Sequence, residues 1–195
     1  ISALDEDEQR LWASVREEER RLDHSGLLET DPAVNEYLNS VIQKLSSPQL
    51  KPSELSIQVK VLKNPLLNAF AFPNGNIYVH TGMLARIESE AQLATLLGHE
   101  LTHATHRHTI QELRGIRRTS AALATFQAIT LPFGLFGAAA TALGTVGYMG
   151  AVSGHSRGKE READEVGLAL MVKAGYSPQE APRLFEKLKD NLALR

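Results

Sequence analysis

Residues 97–103 read Leu97-Gly98-His99-Glu100-Leu101-Thr102-His103. The surroundings predict a helix. Leu93, Leu96, Leu97 and Leu101 recur at helical spacing and form a core-facing stripe. Ser89 followed by Gln92 reads as a capping box at the start. Residues four apart on a helix share a face, so His99 and His103 can point at one metal ion. Glu100 lies about 100° around the helix from His99. Its carboxylate therefore falls beside such an ion rather than on it, where it can hold the water that the ion activates.

The pattern fixes only three residue types and also occurs by chance in unrelated helices, so a third ligand decides whether this is a zinc site. A metzincin-type site would place a Gly and a third His further along the same helix. Those positions hold His106 and Thr109. A thermolysin-type site takes a Glu from a second helix. Ser156-Arg157-Gly158-Lys159-Glu160-Arg161-Glu162-Ala163-Asp164 opens such a helix. Glu160 can complete a His, His, Glu set and leave a fourth position for water. Asp164, one turn on, can accept the free ring N–H of a ligand histidine and fix its tautomer. Glu162 points about 160° away and reads as a solvated surface charge. Glu165 is the rival partner for the histidine, but it lies off the Glu160 face.

His-Glu-x-x-His followed by Glu-x-x-Ala-Asp resembles the gluzincin metalloprotease family that holds the CAAX prenyl protease and HtpX. The likeness is to its soluble envelope branch, typified by BepA and LoiP. Three further stretches carry it: Asn68-Ala69-Phe70-Ala71-Phe72-Pro73-Asn74-Gly75, Ile77-Tyr78-Val79-His80-Thr81-Gly82 and Gly175-Tyr176-Ser177-Pro178. Together they span roughly Asn64 to Arg195. The resemblance implies a zinc endopeptidase in the periplasm or cell envelope, membrane-associated in some members, with misfolded or misassembled envelope proteins as substrates. It also favours Asn68, Ala69, Phe70 and Ala71 as the edge that binds substrate.

A chain of 195 residues, 43% hydrophobic and 23% charged, suits one globular domain with a real core. A net charge of −2 gives no reason to expect nucleic acid or an anionic membrane surface as partner. The absence of cysteine excludes a disulfide scaffold and a thiol nucleophile. With no initiator Met and no charged-then-apolar leader, the chain reads as a mature or excised form.

The pattern along the chain predicts an α+β fold, mainly helical, with about three strands beside the metal-site helix and a single domain over 1–195. Two helices fill 1–50: one from Ser2 to about Asp23 with Leu4, Leu11, Val15 and Leu22 inward, the other capped by Asp31-Pro32. A small sheet occupies 55–81. Ile57, Val59 and Val61 alternate as a half-buried strand, and Pro73-Asn74-Gly75 joins two more strands as a hairpin. The metal-site helix is expected over 90–118, the third-ligand helix over 156–174 with Gly175 as its C-cap, and a last helix over 178–192. Residues 119–154 contain no charged residue and are broken by Pro132, Gly134 and Gly137. They read as a helical hairpin or lid over the catalytic helix, with peripheral contact at a membrane interface as the alternative.

The chemistry these parts suggest is peptide hydrolysis with one zinc ion on His99, His103 and Glu160 and Glu100 as general base. An oxyanion donor besides the metal is needed, and His155, Arg157 and Tyr148 stand nearest the Glu160 segment. His155 is also a candidate metal ligand in a resting state. A hairpin strand can hold an extended peptide by main-chain pairing, which reads side chains weakly; the bland alternative is a plain buried hairpin. His80 ends a strand and reads as structural rather than as a ligand, and His108 faces the opposite side of the helix and reads as structural or surface. His106 lies one turn beyond His103, too far along the helix to share the ion easily. The competing function is a zinc-bound chaperone-like or binding module, against which the intact Glu100 argues.

Overall fold

A computed structural model describes residues 6–46, 55–117 and 155–193. The expected hairpin or lid over 119–154, Tyr148 within it and the connector after Ser46 lie outside these residues. The element order is α1 (Glu6–His24), α2 (Pro32–Leu45), β1 (Val59–Leu62), β2 (Ala69–Ala71), β3 (Ile77–His80), α3 (Thr81–Leu84), α4 (Glu90–Thr105), α5 (His108–Arg117), α6 (Arg157–Lys173) and α7 (Glu180–Ala193). This is the α+β architecture the sequence predicts.

The caps explain where the helices begin and end. Asp31 accepts a hydrogen bond from the Ala33 backbone N–H, and Pro32 occupies the first turn of α2. The Ser89 hydroxyl accepts from the Gln92 N–H at the start of α4. The Gln92 side chain reaches back one residue further than a capping box requires, to the Glu88 N–H. Gly175, at φ +90, ends α6: its N–H bonds the Val172 carbonyl and the Tyr176 N–H bonds that of Met171, a Schellman closure.

The three strands are ordered β1-β3-β2, with β1 parallel and β2 antiparallel to β3. All four residues of β3 are buried, because helices cover both faces of the sheet. On one face Leu62, Phe70, Phe72 and Tyr78 pack on Val15 and Leu22 of α1. On the other Val59, Val61, Ile77 and Val79 join α2, α4, α6 and α7 in the main core. Helix α4 lies at its centre and is buried almost all the way round, including Leu93, Leu96, Leu97 and Leu101.

The metal-site helix is shorter than the sequence suggests. It ends at Thr105, and a second helix starts at His108. Arg107 separates them in the left-handed conformation at φ 57. A left-handed residue just past a helix terminus reverses the chain, and glycine usually takes that place. Here the Arg107 guanidinium is paired with both carboxylate oxygens of Glu8, which is buried on α1.

Candidate metal centre

Helices α4 and α6 carry the site. They cross at Gly98 and Gly167. A Cβ on Gly98 would lie 2.9 Å from the Gly167 carbonyl oxygen, and one on Gly167 would lie 2.8 Å from the His99 backbone nitrogen. Only two glycines allow the backbones to come this close. The crossing brings Glu160 and Asp164 of α6 against His99 and His103 of α4.

The two imidazoles face each other with Nε2 atoms 3.0 Å apart. Glu160 Oε2 stands 3.5 Å from His99 Nε2, and its Oε1 stands 3.7 Å from His103 Nε2. Among the described residues this is the one group of three such donors whose ligand atoms all fall within 4.8 Å of one another. Ligands about 2.0–2.1 Å from a tetrahedral zinc ion sit about 3.3 Å apart. The donor set and its spacing therefore fit zinc. Asp164 Oδ1 accepts from His99 Nδ1 at 2.9 Å, which leaves His99 Nε2 free to face the cluster.

Charge at the cluster is consistent with a cation site. Burial opposes a proton on His99, but Glu160, Glu100 and Asp164 outweigh it and push the ring up to about 9. Burial and the neighbouring imidazoles hold His103 down to about 2. Glu160 is held below the usual carboxylate range by its contact with His99. Glu100 is buried, and this desolvation lifts it to about 7, with Glu160 adding to the rise and His99 and the Ala71 backbone N–H opposing it. The carboxylate lies between the cluster on one side and the Ala71 end of β2 on the other.

His155 stacks on the His103 ring, centroids 4.1 Å apart and planes within 16°. Burial, the first cause, draws it down to about 4, so it is a neutral imidazole with one N–H to offer. Arg157 stands at the exposed start of α6 and makes no hydrogen bond or ion pair among the described residues.

Strand β2 forms the sheet edge. Asn68, Phe70 and Phe72 pair with β3, so the N–H and C=O groups of Ala69 and the C=O of Ala71 face away from it, while the Ala71 N–H faces Glu100. Phe70 itself is buried among Phe72 and Tyr78 and offers no side chain to a ligand.

Two readings from sequence need correcting. His108 does not face away from the site: it is fully buried and its Nδ1 lies 3.0 Å from His103 Nδ1. Glu162 is half exposed but is not simply a solvated charge, since its carboxylate lies 3.4 Å from His108 Nε2 and 3.8 Å from His106 Nε2. Both follow from the break at Arg107. On an unbroken helix His108 would sit about 140° from His103. His80 is buried and neither ring nitrogen has a hydrogen-bond partner among the described residues.

A helix-borne His pair, a carboxylate from a second helix and a buried glutamate beside them make the donor set of a metallopeptidase, set against the open edge of a small sheet. The chain belongs to Peptidase family M48, which it matches over residues 32–192. It is 31% identical over 178 residues to the beta-barrel assembly-enhancing protease of Escherichia coli, covering 88% of this chain and 36% of that protein. It is 37% identical over 134 residues to the mitochondrial metalloendopeptidase OMA1 of Arabidopsis thaliana, covering 69% of this chain and 26% of the relative. The putative beta-barrel assembly-enhancing protease of Vibrio cholerae is 29% identical over 164 residues, covering 82% of this chain and 34% of the relative. The chain thus spans about a third of the length of these relatives.

Proposed function

We propose that this chain is the catalytic domain of an endopeptidase that uses one zinc ion, held by His99, His103 and Glu160, to cleave protein substrates in cell-envelope quality control. The observation that carries the reading is the convergence of those three ligands beside a buried Glu100. The ion supplies Lewis acidity, which polarises the scissile carbonyl and activates the attacking water.

The chain's own residues divide the remaining work. Glu100 takes the proton from the water and returns it to the leaving amine, a role suited to a carboxyl poised near neutral pH. Asp164 keeps the His99 proton on Nδ1. His155, neutral and packed on His103, donates its N–H to the carbonyl oxygen as negative charge develops. Arg157, further out, is the second candidate for that donor. The extended substrate adds to β2 through the N–H and C=O of Ala69 and the C=O of Ala71, with Asn68 and Phe70 shaping the strand from the β3 side.

The envelope setting is supported by the bacterial relatives named for beta-barrel assembly. Among the described residues no helix is long and apolar enough to cross a membrane.

Digestion of casein tests the reading. The wild type should cleave it, a chelator should stop cleavage and added zinc should restore it. Glu100→Gln should lose about 10²–10⁴-fold in rate while keeping its zinc. Cleavage that survives either treatment overturns the proposal, as does a chelator-insensitive wild type.

A further inference from the structure

We propose that His108, backed by Glu162, is the positioning residue for the metal ligand His103, holding its ring by accepting the Nδ1 proton. The inference rests on the zinc site proposed above and assigns the outer contact of its second histidine.

Proton counting carries the argument. A histidine that gives its Nε2 lone pair to a metal must carry its proton on Nδ1. For His99 that proton goes to Asp164 Oδ1, at 2.9 Å. For His103 the nearest acceptor is His108 Nδ1, at 3.0 Å. Two ring nitrogens that close hold one proton between them, so when His103 donates, His108 must be unprotonated at Nδ1. Its own proton is then on Nε2, the nitrogen that faces Glu162 Oε2 at 3.4 Å. That contact is charge to dipole rather than a formed hydrogen bond, since the buried Nε2 has no hydrogen-bond partner among the described residues. A carboxylate can only accept, so it favours this tautomer and disfavours the other. Metal, His103, His108 and Glu162 thus admit a single proton arrangement.

The setting favours a built contact over an accidental one. His108 is fully buried, whereas a helix-start histidine ordinarily points to water. It reaches His103 only because Arg107 turns the chain in the left-handed conformation, held there by buried Glu8. Lys159 of α6 bonds the His108 carbonyl, fixing the same residue from the third-ligand helix.

The test uses the whole chain and reads zinc affinity by competition with a chelator. His108→Leu fills the space but cannot accept a proton. His108→Asn puts an amide oxygen near the place of Nδ1. His108→Leu should weaken zinc binding by about 10–100-fold, and His108→Asn should stay within about threefold of the wild type. Nitrogen NMR of the zinc-loaded wild type provides a check that needs no variant to fold: it should show His103 protonated at Nδ1 and His108 at Nε2. Equal affinities for the wild type and His108→Leu overturn the proposal. So does His108→Asn binding as weakly as His108→Leu, or a His108 protonated at Nδ1. A wild type that takes up no zinc overturns the metal centre itself, and this inference with it. A wild type that binds zinc, beside an indifferent His108→Leu, overturns the inference alone.

Discussion

Gly98 and Gly167 touch backbone to backbone, and that contact sets the distance between the helix that carries His99 and His103 and the helix that carries Glu160. Gly98 directly precedes His99, and Gly167 lies two turns beyond Glu160. Gly167→Ala would put its methyl 2.8 Å from the His99 nitrogen and 2.9 Å from the Gly98 carbonyl carbon. Backbone on both sides cannot yield as a side chain would. The substitution should cost about 1–3 kcal/mol of stability and weaken zinc binding by moving Glu160 off the imidazole pair. Denaturant unfolding and chelator competition measure the two effects; an unchanged zinc affinity would contradict the account of this crossing.

Arg107 supplies the second prediction. Alanine normally exceeds glycine in stability, but at φ 57 the order should reverse. Arg107→Gly and Arg107→Ala both lose the pair with Glu8, so their difference isolates the backbone. Arg107→Gly should be the more stable by about 1 kcal/mol in urea unfolding.

Much of the site was legible because its chemistry sits on regular helix. His99, Glu100 and His103 lie within one turn and a half, and Glu160 and Asp164 are separated by one turn, so spacing alone aligns them. The hairpin was legible from Pro73-Asn74-Gly75 between two apolar runs, and its strand β2 lies at the sheet edge. His108 and Glu162 were not legible. Their roles depend on a chain reversal at an arginine, with no glycine to announce it, and on a buried carboxylate about a hundred residues earlier in the chain. Periodicity carried through residues 106–108 put His108 on the wrong side and so hid the partner that Glu162 meets. The partner of the Gly98 approach was also hidden, since a lone glycine within a helix does not say which backbone comes near it.

Glu90 gives a prediction for pH. Lys44 Nζ donates to its Oε1 at 2.8 Å, the Tyr176 hydroxyl to the same oxygen at 2.6 Å and the Tyr37 hydroxyl to Oε2 at 3.1 Å. Lys44 first, then the tyrosines, draw this carboxyl from 4.5 down to about 2. A depressed acid stabilises the fold above its ordinary range, and the contribution is lost as pH falls toward the folded value. The side chain is 34% exposed, so screening limits the contribution to about 1 kcal/mol. Glu90→Gln should therefore be less stable than the wild type at pH 7, and the gap should close between about pH 5 and pH 2. Thermal unfolding across that range measures it; a gap that widens on acidification would have the wrong sign.

The central claim is that α4 and α6 together grip one ion. Metal analysis of purified wild type and Glu160→Gln, each dialysed against the same trace of zinc, tests it most directly. The account predicts about one zinc per wild-type chain and a large loss in the variant, because two imidazoles alone are a weak site. Equal zinc in the two proteins would contradict it.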